Sequence, residues 1–268
     1  MKKTFRVVTW NCRCATAENR RLWDYLLKLD PDIALLQEVG GFPDSIRSRF
    51  ACDSDYAMGK SGSPSRVRTG LLVKGYIGKA VTLTAPTGRV PPELMRHFSG
   101  NLLARHILPD NGPPIRAVSV YSPAWPVDRS RLKGVDVSEV GQNGKVWVSD
   151  LLWESLNHIQ PGRDEAWIVG GDFNLSETFD AWSAGLGGNR VYLDSLEELG
   201  LVECLRAAKG ALTPTFRHSR GAVKDQIDHL FTTAVLAGKR TACDAGRHED
   251  IFETNLSDHL PIWADFLV

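Results

Sequence analysis

Polar residues stand where apolar runs stop. Asn11 follows Phe5 to Trp10, Glu38 follows Ile33 to Leu36, and Asp172 and Asn174 follow Trp167 to Val169. Asp228 lies inside Gln226 to Phe231, and Asp258-His259 precedes Leu260 to Phe266. Strand ends in layered α/β proteins are where binding sites collect. Carboxylates gathered there repel one another unless a cation sits among them. Asp, Glu and Asn oxygens are hard ligands, suited to Mg²⁺ with Mn²⁺ as its substitute. Alone, each segment is ordinary: an Asp after Gly-Gly is often a turn residue, and a lone histidine is more often a satisfied surface or core group. The weight lies in five such segments in one order.

The elements that must position these groups are readable in outline. Phe5 to Trp10 is rich in β-branched and aromatic residues and predicts a strand. Thr16 is a candidate N-cap for a helix carrying Leu22, Leu26 and Leu29, closed by Asp30-Pro31. Ile33 to Leu36 is wholly apolar, as expected of a strand covered on both faces. Further strands are expected at Arg68 to Val73, Arg116 to Tyr121, Trp167 to Val169, Gln226 to Thr232 and Leu260 to Phe266. Val148, Leu152 and Leu156 mark one helix, and Leu196, Leu199 and Gly200 another with its C-cap. Asp53 to Arg68 and Thr84 to Phe98 read as surface loops. Strands alternate with helices to the end and no linker divides them, so the expectation is one α/β domain over residues 1–268.

Bulk properties narrow the classes. The 268 residues are 43% hydrophobic and 24% charged, which allows a large core and argues against disorder. Lys plus Arg equals Asp plus Glu at 32 each, so net charge argues neither for nor against a polyanionic partner. No apolar run approaches a membrane span, and the stretch after Met1-Lys2-Lys3 is too short for a signal peptide. The expected location is cytoplasmic. Five cysteines cannot all pair within the chain, and their spacing is not that of a zinc site; reduced buried thiols are expected.

Trp10-Asn11, Leu36-Gln37-Glu38, Gly171-Asp172-Phe173-Asn174, Ile227-Asp228-His229 and Ser257-Asp258-His259-Leu260-Pro261 together resemble the five signatures of the endonuclease/exonuclease/phosphatase superfamily. Deoxyribonuclease I and the exonuclease III-type abasic-site endonucleases belong to it. The resemblance runs from Phe5 to Phe266. It implies a four-layer α/β sandwich, two mixed sheets face to face with helices outside, and metal-dependent hydrolysis of phosphate esters.

The resemblance also implies roles. Glu38 would be the principal metal ligand, with Asn11 and Asp258 close to the same ion, polarising phosphorus. Asp172 would orient or deprotonate the attacking water. Asn174 would hold that water or a phosphate oxygen. His259 would meet the phosphate oxygen where charge builds, and Asp228 would fix its tautomer and favour its charged form. Tyr121 resembles the tyrosine that abasic-site endonucleases place beside the phosphate. Arg13 matches secreted deoxyribonucleases instead, where its forked donors suit phosphate. His229 receives no role.

Substrate is read from two basic-aromatic stretches, Trp125 to Lys133 and Thr215 to Arg220, which would grip a backbone and stack on an unpaired base. Arg129 and Arg217 join Arg13 as candidate phosphate contacts, and Trp125, Trp147 and Trp182 as candidate stacking residues. The favoured function is a nuclease on DNA or RNA. The alternatives are a phosphatase or phosphodiesterase of small molecules or lipid headgroups, and a binding module on an inactive phosphoesterase fold. No membrane partner is implied.

Overall fold

The structure is a computed structural model that describes residues 3–83, 89–141, 144–162, 164–181 and 188–268. In chain order its strands are β1 (Thr4–Ala15), β2 (Ile33–Val39), β3 (Ala51–Met58), β4 (Pro64–Val73), β5 (Gly75–Ala80), β6 (Leu102–Pro109), β7 (Ile115–Tyr121), β8 (Trp167–Asp172), β9 (Leu201–Glu203), β10 (Phe216–Arg217), β11 (Val223–Asp225), β12 (Asp228–Thr233), β13 (Arg240–Ala245) and β14 (Ile262–Leu267). Among the described residues they form two six-stranded sheets, ordered β13-β14-β1-β2-β4-β3 and β5-β6-β7-β8-β12-β9, and a two-stranded β10-β11 hairpin. Each large sheet is mixed: β1–β2 and β7–β8 are parallel, and their other neighbours are antiparallel.

Side-chain alternation along the strands builds three apolar layers. Val7, Ile33, Leu35 and Leu71 point inward and meet Ile107, Ile115, Ala117, Ile168 and Leu230 of the second sheet. Their neighbours Val8, Ala34, Leu36 and Leu72 point outward, under Leu22, Trp23 and Leu26 of the Arg20–Leu29 helix. On the far side, Val118, Val120, Trp167 and Val169 pack beneath the Val148–Ile159 and Asn189–Glu198 helices. The apolar run Ile33 to Leu36 is therefore covered on both faces, as its composition requires. Each such Leu or Ile contributes about 2 kcal/mol of burial. The helix–sheet–sheet–helix order is the four-layer sandwich.

Local chemistry departs from expectation in three places. The first helix starts at Arg20 with Asn19 at the cap position. Thr16 instead opens the preceding turn, its carbonyl accepting from Asn19 N–H and Trp23 Nε1. The expected loop Asp53 to Arg68 is the β3–β4 hairpin, pairing Tyr56 with Arg68 and Met58 with Pro64. β3 is a sheet edge whose residues are mostly half-exposed, so it lacks the alternation by which strands are recognised. In the other expected loop, Pro92–His97 is a short helix, and residues 84–88 lie outside the described part. No helix among the described residues is long and apolar enough to cross a membrane.

Candidate active site

Both parallel pairs end at the same place. Asn11 and Glu38 sit toward the C-terminal ends of β1 and β2, Tyr121 and Asp172 at those of β7 and β8, and Asp228 opens the antiparallel β12. Register makes Asp172 the partner of both Tyr121 and Asp228. Behind them, Gln37 Nε2 donates to Ser119 Oγ at 3.1 Å and ties the two sheets together. Gly171 permits the close approach of β7 and β8: its φ is 154°, and a Cβ there would lie 1.9 Å from the Val120 carbonyl oxygen.

The backbone turns sharply at the rim. Arg13, Cys14, Glu38 and Asn174 all adopt left-handed φ values between 48° and 59°. Such conformations are uncommon in residues with a Cβ and concentrate at functional sites. At Glu38 the twist follows the register shift between β1 and β2.

Asn11 is 1% exposed and bridges the two halves. Its Nδ2 donates to Glu38 Oε1 at 3.3 Å and to Asp172 Oδ2 at 2.9 Å. Its Oδ1 accepts from the Arg13 backbone N–H at 3.0 Å. Asn11 thus acts as a donor between carboxylates, and its Oδ1, with one hydrogen bond accepted, keeps a second lone pair on the side of Glu38's expected cation. The remaining donors on Glu38 are the Tyr121 hydroxyl to Oε1 at 3.2 Å and the Cys14 thiol to Oε2 at 3.3 Å. No lysine or arginine pairs with Glu38 among the described residues, while Arg13 stands 3.9 Å from Asp258. A carboxylate served only by neutral donors, beside a second acid, fits a cation. Burial and then Glu38 hold the Tyr121 phenol well above its ordinary value, so it stays a donor. The same causes push the Cys14 thiol up to about 11. Cys14 is exposed, unlike the buried thiol expected.

His259 is buried and tightly framed. Its Nδ1 meets both Asp228 oxygens at 3.0 Å, and its Nε2 faces Asp172 Oδ2 at 4.0 Å. Its carbonyl accepts from Trp10 Nε1 at 2.9 Å, and its N–H donates to Ser257 Oγ at 3.1 Å. Thr215 Oγ1 donates to Asp228 Oδ2 at 2.7 Å. Burial works against the charged ring, but Asp228, then Asp172 and Asp258, outweigh it and hold His259 above its ordinary value. Burial raises the Asp172 carboxyl, and His259 pulls it partly back. Asp172, Asp228 and His259 bring ligand atoms within 4.8 Å of one another. The imidazolium itself supplies the positive charge of this trio, so the metal is better served at Glu38.

Asn174 donates its N–H to Asp172 Oδ1 at 2.9 Å and its Nδ2 to the Ser122 carbonyl at 2.7 Å. Glu38, Asn11, Asp172, Asn174, Tyr121, Asp228 and His259 are thus joined by direct contacts, with Arg13 and Asp258 beside them. Two expected phosphate contacts lie apart. Arg217 turns its guanidinium to the Phe252 carbonyl, the Asn255 side chain and the Phe252 ring; it braces the Phe252–Asn255 turn. Arg129 is exposed in the Arg129–Arg131 turn and contacts none of these groups. Trp125 and Trp147 are half-buried, and Trp182 lies outside the described residues. His229 is a buried support, hydrogen-bonded to the Leu175 carbonyl at 3.0 Å. Thr215, Trp10 and Cys14 were not foreseen as site residues, because only the fold brings them to Asp228, His259 and Glu38.

The fold is similar to that of several solved enzymes. An AP endonuclease from Archaeoglobus fulgidus superposes with a TM-score of 0.67 at 18% identity, covering 98% of this chain and 100% of that one. An AP endonuclease from Leishmania major gives 0.65 at 16% identity, with 99% and 88% covered. The 3' phosphatase NExo from Neisseria, bound to product DNA hairpin, gives 0.64 at 18% identity, with 98% and 99% covered. No curated protein matches the sequence. The model of the Endonuclease/Exonuclease/phosphatase family matches residues 8–259. With that span and this sandwich, the chain belongs to the Endonuclease/Exonuclease/phosphatase family and is a hydrolase of phosphoester bonds.

Proposed function

We propose that this chain is a single-domain, divalent-metal-dependent nuclease that hydrolyses a phosphodiester of DNA or RNA by attack of water on phosphorus. The observation that carries the reading is the buried line Asp228–His259–Asp172, in which a charged imidazole and a carboxylate base face one another across 4.0 Å. Similarity to enzymes named for DNA chemistry, one of them bound to a DNA hairpin, supports nucleic acid as the substrate.

Glu38 and Asp258, with Asn11 Oδ1 beside them, are the residues that would hold the ion, Mg²⁺ first and Mn²⁺ as its substitute; when bound, it neutralises a phosphate oxygen and polarises phosphorus. Asp172 takes the proton of the attacking water, and burial makes it the stronger base for that step. Asn174 spends its N–H on Asp172 and one Nδ2 hydrogen on Ser122, and its Oδ1, which accepts from no described residue, orients that water. His259 gives its Nε2 proton to the phosphate oxygen on which charge develops. Asp228 keeps the ring oriented and charged. Tyr121 orients Glu38, and Arg13 meets the phosphate from the rim. A reducing, cytoplasmic setting goes with the exposed thiol of Cys14.

The test is a gel assay on duplex DNA, duplex DNA with one abasic site, single-stranded DNA and single-stranded RNA, with Mg²⁺, Mn²⁺ or EDTA. Metal-dependent cleavage that His259→Ala abolishes supports the nuclease. Folded protein that cleaves none of the four moves the assignment to small phosphate esters.

A further inference from the structure

Beside the site lies a second imidazole–carboxylate pair that the mechanism above does not use. His218 Nε2 hydrogen-bonds the Asp225 carboxylate. The Asp225 side chain is 0% exposed, and its other oxygen accepts from the Thr178 hydroxyl, which pairs with Ser176. This anchor therefore leans on the segment that follows Asp172 and Asn174 in the chain.

Phe216 and His218 bring their rings together, while the Arg217 guanidinium turns to Phe252 and Asn255. The Phe216 ring lies 4.8 Å from the His259 ring and 4.8 Å from the His218 ring, and Phe216 forms a β-bridge with His259. The result is a row of imidazole, phenyl and imidazole, each imidazole held from behind by a buried aspartate. His218 remains 27% exposed. Its Nδ1 has no hydrogen-bond partner among the described residues. Arg220, exposed in the same turn, adds positive charge.

We propose that His218 grips the phosphate adjacent to the scissile one in a polynucleotide strand. The proposal rests on the nuclease reading. Along one strand the charges recur about every 3.4 Å of helix axis, so a second contact one ring beyond His259 falls within the reach of neighbouring nucleotides. Phe216, between the two contacts, presents an apolar surface to the intervening sugar or base. With Nε2 held by Asp225, Nδ1 is the ring atom left to meet a phosphate oxygen.

The test compares kcat/KM for a single-stranded oligonucleotide with that for bis(4-nitrophenyl) phosphate, a diester with no neighbouring phosphate. The ratio is measured in the parent, His218→Gln and His218→Ala. Binding of the uncleaved oligonucleotide in EDTA, titrated with salt, is the second readout. The oligonucleotide-to-diester ratio is expected to fall about tenfold through KM, and the salt slope to lose about one phosphate contact. A ratio within twofold of the parent, or equal losses on both substrates, would mean that His218 only supports Phe216 and His259, and would overturn the assignment. A parent that hydrolyses the diester but no oligonucleotide overturns the nuclease reading, and this proposal with it. Oligonucleotide cleavage with an unchanged ratio sinks His218 alone.

Discussion

Asn11 donates through one amide nitrogen to both Glu38 and Asp172, at 3.3 and 2.9 Å, and so couples a carboxylate of one sheet to a carboxylate of the other. Removing that donor leaves two acids facing each other with nothing between them. Asn11→Ala should lower kcat about a hundredfold with little change in thermal midpoint. Steady-state kinetics alongside a melt checks this; turnover within a factor of two would show the bridge to be incidental.

The pH profile follows from two raised groups. Asp172 acts as a base only once deprotonated, and burial delays that to higher pH than an ordinary carboxylate. His259 is useful only while charged, and its carboxylate neighbours keep it charged beyond the ordinary imidazole range. The bell of kcat/KM should therefore be displaced upward on both limbs. Asp228 raises both groups, so Asp228→Asn should move both limbs to lower pH, the alkaline limb most. An alkaline limb that stays in place would remove Asp228 from the role of holding the charge.

Tyr121 tests a different point. Its phenol is a donor to Glu38 rather than a phenolate, so Tyr121→Phe removes one hydrogen bond to a charged acceptor, worth about 2 kcal/mol. A loss of roughly tenfold to thirtyfold in kcat/KM is expected, with the shape of the pH profile kept. Loss of an alkaline limb in this variant would instead make the phenol an acid–base group.

Gly171 links site and fold. A methyl group there would sit 1.9 Å from the Val120 carbonyl oxygen on a φ of 154°. Gly171→Ala should cost about 3 kcal/mol or more and distort Asp172, read as a lowered urea midpoint together with lost turnover. A stable, active variant would show that β7 and β8 can part without disturbing the site.

Arg217 provides a contrast. Because its guanidinium serves Phe252 and Asn255, Arg217→Ala should lower the melting temperature by several degrees while leaving the salt dependence of nucleic-acid binding as it was. A shallower salt slope would return Arg217 to the phosphate-binding set.

Much of this was legible in the sequence. Strands buried on both faces announce themselves as apolar runs, and the polar residues flanking each run mark the candidate site, which is why Glu38, Asp172, Asp228 and His259 could be read together. Edge strands could not be read this way: β3 begins Ala51-Cys52-Asp53-Ser54-Asp55, and with solvent on one side it needs no regular apolar pattern. Residue type also conceals direction. Arg217 looked like a phosphate contact, but its guanidinium is committed to Phe252 and Asn255. The roles of Thr215 and Cys14 rest on contacts with Asp228 and Glu38, respectively 13 and 24 positions distant in the chain, which no local spacing encodes.

The site straddles the seam of the sandwich, with Asn11 and Glu38 on one sheet and Tyr121, Asp172 and Asp228 on the other. Its integrity is thus a gauge of how firmly the inner faces grip each other. A truncation such as Leu35→Ala between the sheets, where Leu35 packs against Gly170, should let the halves slide by a fraction of an ångström before the chain unfolds. Activity would then fade at temperatures where the circular dichroism of the strands is still intact, and the enzyme would report loosening of its own interior.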